Sequence, residues 1–144
     1  MKVAAILSSK GASVATVRAD SRISTVAERL RSEGIGALVV SEDGVRVEGL
    51  IAERDIVVGL AEHGARGLTM RVLDLMQRSP VTCSPDDTIT SVMEVMTRNR
   101  VRHIPVVSAG RLCGIVSLGD VVKHRLGELE VEANVLREQF LARR

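Results

Sequence analysis

Apolar positions along the chain fall into two kinds of pattern, and each kind occurs twice. Ile23, Val26, Ala27 and Leu30 recur at i, i+3, i+4 and i+7, as do Ile89, Val92, Met93 and Met96, which predicts one buried helix face in each stretch. Gly34 and Asn99 are the expected helix ends. Two short apolar runs follow each helix, 37–41 with 46–51 and 103–107 with 112–116. The turn-forming Glu42-Asp43-Gly44 and Ala109-Gly110 make each pair a hairpin. A last helix is expected from near Glu53 and again from near Leu118. Ahead of each copy a short helix (about 2–8, then 70–77) leads into a brief extended segment at 15–17 and 81–83, with Pro80 and Pro85 punctuating the second. The order is α-β-α-β-β-α, twice.

The repetition extends to residue identity. Residues 20–40 superpose on 86–106 at an offset of 66, and 49–57 on 114–122 at an offset of 65. Identical pairs include Thr16/Thr82, Asp20/Asp86, Val26/Val92, Val40/Val106, Gly49/Gly114 and Asp55/Asp120, and Met1-Lys2-Val3 matches Met70-Arg71-Val72. One copy offers a three-stranded sheet with a helix face on one side only, so packing the copies against each other covers the other side. The expected fold class is α/β (α+β): two tandem βαββα units with pseudo-two-fold symmetry and a cleft at the junction. The expected divisions are 1–68, 69–124 and a helical extension over 125–144.

The repeated segment richest in chemistry is Gly-Leu-Ile-Ala-Glu-Arg-Asp (49–55) and Gly-Ile-Val-Ser-Leu-Gly-Asp (114–120), a strand entering a helix with a carboxylate in the first turn. Free N–H groups at a helix start suit a phosphate, and a nearby carboxylate can accept both hydroxyls of a ribose. Ser117 and Asp120 also fit a capping box, in which both side chains satisfy the helix's own donors. Ala52 cannot cap with its side chain, yet Asp55 keeps the same spacing, a comparison that favours a ligand. In Arg100-Val101-Arg102-His103-Ile104-Pro105-Val106-Val107 polar residues lead into an apolar strand, and Pro105 marks an edge, a bulge or a strand start. Arg98 and Arg100 are explained equally well as cations at a helix C-terminus, Arg102 less well.

Composition narrows the classes. The 144 residues are 45% hydrophobic, with one Phe and neither Trp nor Tyr, which leaves almost nothing to stack on nucleic-acid bases. Net charge is +2, and of 20 basic residues only Lys2, Lys10 and Lys123 are lysine. The Arg excess suits phosphate or carboxylate ligands, though codon bias would give the same count. Cys83 and Cys113 lie too far apart for a zinc motif and read as buried thiols in a reducing compartment. No run approaches membrane-spanning length, so a cytoplasmic protein is expected. His63, His103 and His124 form no metal or triad spacing, and no enzyme activity or catalytic cofactor is expected.

The repeated Gly-hydrophobic-hydrophobic-x-x-x-Asp, the Arg-His-Ile-Pro-Val-Val strand and Ser-Pro-Val-Thr at 79–82 together resemble tandem CBS domains, the paired unit called a Bateman module, over roughly residues 1–124. The resemblance implies two clefts for adenosyl ligands such as AMP, ADP, ATP, NAD(H) or S-adenosylmethionine, and a regulatory role read by another protein. By the same resemblance Asp55 and Asp120 bind ribose hydroxyls. Ser117 and the backbone through Gly119 meet a phosphate, and Thr16 and Thr82 lie beside the base. His103, Ile104 and Pro105 belong to the second cleft, Ala37 to the first, with Arg54 and Arg102 as phosphate partners. Ala52 opposite Ser117, and Gly36-Ala37 opposite Arg102-His103, make the clefts unequal. That leaves one good site, two sites with different ligands, or one composite site drawing Arg54 toward the other cleft; two occupied but unequal sites are expected, the second copy's cleft binding the simpler mononucleotide.

Val122, Leu126, Leu129, Ala133, Leu136 and Phe140 are spaced 4, 3, 4, 3, 4. Such a stripe either folds back on its own domain or packs against another subunit, and the resemblance implies a homodimer. The competing readings are a structural dimerisation module without nucleotide and, with less support, a nucleic-acid-binding protein.

Overall fold

Residues 1–143 are described by a computed structural model. The chain runs α1 (Val3–Lys10), β1 (Thr16–Val17), α2 (Ile23–Glu33), β2 (Ala37–Val40), β3 (Gly49–Ala52), α3 (Glu53–His63), a 3-10 turn (Gly64–Thr69), α4 (Val72–Leu75), β4 (Gln77–Arg78), α5 (Ile89–Asn99), β5 (His103–Ser108), β6 (Arg111–Ser117) and α6 (Leu118–Ala142). The two amphipathic helices bury the expected faces: Ile23, Val26 and Leu30 in α2, and Ile89, Val92 and Met96 in α5. Gly34 ends α2 in the left-handed region, at φ 65. At the end of α5 that position belongs to Arg100, at φ 54, and not to Asn99. Arg100 lies 66 residues beyond Gly34, so the repeat fixes this geometry and the second copy bears it with a side chain, at a cost of about 1 kcal/mol.

The sheets are less symmetric than the repeat. β1 pairs parallel with β2, and β2–β3 and β3–β4 are antiparallel, giving four strands in the order β1-β2-β3-β4. The helix expected over 70–77 is shortened because Gln77 and Arg78 join this sheet opposite Leu50 and Gly49. In the second copy β5 and β6 form an antiparallel pair with an irregularity between Val106 and Val107. The third strand shrinks to a parallel bridge in which the Cys83 N–H donates to the Pro105 carbonyl (3.0 Å) and the Val107 N–H to the Cys83 carbonyl (2.8 Å).

The copies exchange their leading segments. Val3 N–H donates to Asp87 O (2.9 Å) and Ile89 N–H to Met1 O (3.1 Å), while Val72 N–H donates to Ser21 O (2.8 Å) and Ile23 N–H to Met70 O (2.9 Å). Val3 and Ile6 of α1 therefore lie fully buried in the core formed by Ile89, Ile104, Val106 and Val116, and Val72 lies in the core around Ile23, Leu38 and Ile51. A third cluster, Ala37, Val39 and Leu50 with Leu112 and Ile115, joins the facing sheets. Burying a side chain such as Ile6 contributes about 1.5–3 kcal/mol, so the exchange ties the halves into one folding unit. Helix α6 extends about 37 Å. Only Val121 of α6 is buried, and from Leu129 onward every described residue is exposed. Among the described residues no helix is long and apolar enough to cross a membrane.

Candidate functional site

The strand-to-helix junctions hold both repeated aspartates, and each carboxylate first serves its own helix. Asp120 Oδ2 accepts the Ser117 N–H (2.9 Å) while Ser117 Oγ accepts the Asp120 N–H (3.1 Å), a reciprocal capping box. Asp55 Oδ2 accepts the Ala52 N–H (2.8 Å) and the Gln77 side-chain amide (3.0 Å). A carboxylate at the third helical position thus ties the cap N–H without any hydroxyl opposite, which gives the Asp55 spacing a structural role beside the expected ligand one. Ala52 offers no side-chain oxygen in return, so the N-terminus of α3 is less completely capped than that of α6.

A cleft of about 680 Å³ opens at this junction, a volume suited to a small-molecule ligand. One wall is Ala52, Glu53, Arg54 and Asp55 with Gln77, and the other is Arg100, Arg102 and His103 from the second copy. Equivalent backbone bonds fix the strand-to-helix junction within each copy: Glu53 N–H donates to Gly36 O (3.1 Å), and Leu118 N–H to Arg102 O (2.8 Å). The His103 ring lies against Gly36, where an added Cβ would meet Cε1 at 2.8 Å and Nε2 at 2.9 Å. Position 36 therefore has no room for the side chain that its counterpart, Arg102, carries.

Charge in the cleft is divided between copies. Arg54, Arg100 and Arg102 are exposed, and none takes part in the ion pairs found among the described residues. Their forks are free to take phosphate or carboxylate oxygens. Burial lowers the His103 pKa, helped by the positive charges of Lys10 and Arg102 and opposed by Glu53 and Asp120. The ring is therefore neutral at pH 7 and able to both donate and accept.

The other junction is closed by a cation. Lys10, at the end of α1, places Nζ 2.6 Å from Asp120 Oδ2 and 3.0 Å from the Ile115 carbonyl. Desolvation pushes the Asp120 carboxyl up, but hydrogen bonds from Lys10 and Ser117 and the Lys10 charge outweigh it and hold the group below its ordinary value. Each aspartate thus receives a donor from an exchanged segment, the neutral Gln77 on Asp55 and the charged Lys10 on Asp120.

Of the residues expected at the site, Arg54, Asp55, Arg102 and His103 share the cleft, so Arg54 and His103 face one composite space and not two separate ones. Ser117, Gly119 and Asp120 sit at the start of α6 on the Lys10 side. Three further expected residues lie behind the cleft surface, through strand alternation and burial. Ile104 is fully buried in the second core, Pro105 is buried in β5, and Ala37 is 6% exposed, paired with Ala52 between the sheets. Thr16 lies in a separate outer groove with Arg18 and Asp43, where its carbonyl accepts Arg29 Nη1 (2.5 Å), and Thr82 is an exposed residue of the connecting segment. Sequence reading missed Lys10, Gln77, Glu53 and the cleft role of Arg100. Lys10 and Gln77 carry no local signal, because Lys10 meets Asp120 and Gln77 meets Asp55 only through the segment exchange.

The CBS domain family model matches residues 3–62 and 72–127, and the chain belongs to the CBS-domain family. A solved CBS-domain containing protein from Agrobacterium tumefaciens is 44% identical, with TM-score 0.83, covering 87% of this chain and 99% of that one. YhcV of Bacillus subtilis is 30% identical over 113 residues, 78% of this chain and 79% of the relative. The solved CBS domain pair of protein MJ0100, in complex with 5'-methylthioadenosine and S-adenosyl-L-methionine, is 25% identical with TM-score 0.76, covering 89% of this chain and 98% of that one. The chain spans 52% of the length of the mitochondrial CBSX3 protein of Arabidopsis thaliana and 35% of a 33.4 kDa protein of Thermofilum pendens, two further relatives.

Proposed function

We propose that the chain is a cytoplasmic regulatory module that senses an adenine nucleotide in the composite cleft, without catalysing a reaction on it. The carrying observation is the meeting of Asp55 and Arg54 from one copy with Arg100 and Arg102 from the other. Asp55 is assigned to the ribose hydroxyls and the three guanidiniums to phosphate. Three unpaired cations favour AMP, ADP or ATP over S-adenosylmethionine, whose sulfonium brings positive charge of its own; NAD(H) is the next candidate, through its pyrophosphate. Asp120 is the weaker site, because a ligand there must displace or share Lys10. The homodimer is the assembly on which the ligand acts, and an unidentified protein reads the result. Regulation follows from differential affinity, since a ligand bridging both copies favours whichever arrangement holds the walls at its span.

Thermal unfolding with and without AMP, ATP, NAD, NADH and S-adenosylmethionine tests this reading, because a ligand that binds only the folded state raises the midpoint. A phosphorylated adenine ligand is expected to raise it in the wild type and in Asp120→Ala but not in Asp55→Ala. No shift with any of the five would turn the reading toward a structural interaction module.

A further inference from the structure

Helix α6 leaves a seam of large apolar side chains exposed: Leu126 at 56%, Leu129 at 43% and Leu136 at 65%, with Ala133 between them. In heptad terms Leu126, Ala133 and Phe140 are a positions and Val122, Leu129 and Leu136 are d positions. The face that packs on the body carries Val121, Arg125 and Glu128, about a quarter turn away, so the seam stays open beside it.

The flanking charges choose an occupant and a direction. Positions e are Lys123, Glu130 and Arg137, and positions g are Arg125, Glu132 and Gln139. In a parallel pair each g faces the e five residues later on the other helix, which sets Arg125 against Glu130 of the partner subunit and Glu132 against Arg137 of the partner subunit. Every charged pair is attractive. In an antiparallel pair centred on the same seam, e meets e and g meets g, so that Glu130 faces Glu130, Glu132 faces Glu132 and Lys123 faces Arg137. All of those are repulsive. Within one chain Arg125 forms ion pairs with Glu128 (3.7 Å) and Glu132 (3.9 Å) that are too long for hydrogen bonds, so its donors can still reach Glu130 of the partner subunit.

We infer that α6 forms a parallel two-stranded coiled coil with a second copy of this chain, with the seam at its core and the Arg125–Glu130 and Glu132–Arg137 pairs setting direction. This deepens the homodimer of the reading above and does not depend on the nucleotide.

Sedimentation of the full chain without nucleotide tests it, with circular dichroism to verify that each variant folds. The wild type sediments as a dimer and Leu136→Glu as a monomer. Arg137→Glu weakens the dimer about tenfold by turning two attractive contacts repulsive, and Glu132→Arg with Arg137→Glu restores it. In an antiparallel dimer Arg137→Glu would instead tighten association by facing Lys123. Under oxidation Ala133→Cys links two parallel copies, because a positions face each other across the axis, whereas Glu138→Cys on the outer face does not. A monomeric wild type, a Leu136→Glu variant that stays dimeric, or tightening by Arg137→Glu overturns the inference; the first of these leaves nucleotide binding by the cleft untouched.

Discussion

The ammonium of Lys10 lies 2.6 Å from the carboxylate of Asp120, linking the end of the first helix to the start of the last across 110 residues. The pair is partly exposed, so its coupling is expected at about 1 kcal/mol. A double-mutant cycle of Lys10→Met and Asp120→Asn, read by urea unfolding at pH 7, measures it. Because the folded pKa of Asp120 lies below the unfolded one, the pair's contribution is present above the unfolded value of about 3.8 and is lost as pH falls through the depressed folded value. Lys10→Met is expected to flatten that acid limb.

His103 behaves in the opposite pH range. Its folded pKa lies below 6.5, so the folded state resists protonation. Stability is full above that value and declines as pH falls through it toward the lowered one. His103→Gln should remove this decline between neutral and mildly acid pH, and NMR titration of the ring should show the depressed value directly.

Gly36→Ala forces a methyl into the His103 ring and is expected to destabilise by about 1–3 kcal/mol. Adding His103→Ala should recover much of that loss, measured by urea unfolding. An equal cost in both backgrounds would mean that the ring is not the obstacle.

Cys83 is buried, and burial first, then the nearby charge of Asp87 and the Cys113 thiol, push its pKa up to about 12. With so little thiolate at neutral pH it should react with a thiol reagent only after unfolding, while the partly buried Cys113 reacts first. Mass spectrometry after timed labelling distinguishes the two.

If the exchanged segments complete each other's cores, Ile6→Ala should cost about 2–5 kcal/mol, and it should lower a single cooperative transition for both copies. Independent melting of the two halves would show that the exchange does not couple them.

The duplicated elements were legible because helix and strand periods survive in each copy: Ile23, Val26 and Leu30 are buried as their counterparts Ile89, Val92 and Met96 are. The repeat likewise pointed to the Asp55 and Asp120 junctions. What local pattern could not carry was the partner across the fold. The sequence of α1 does not say that Val3 and Ile6 belong to the second core, nor that Lys10 ends on Asp120, because those contacts depend on how the copies cross. Strand alternation separates His103 at the cleft from Ile104 in the core, a distinction that the family resemblance, carried over position by position, does not make.

Isothermal titration of ATP into the wild-type protein, beside Asp55→Asn, Asp120→Asn and Arg100→Ala with Arg102→Ala, tests the composite cleft most directly. The cleft predicts one tight site per chain, weakened at least tenfold by Asp55→Asn and by the paired arginine substitutions, and little changed by Asp120→Asn. Absence of binding heat, or binding abolished by Asp120→Asn while Asp55→Asn leaves it intact, would contradict it.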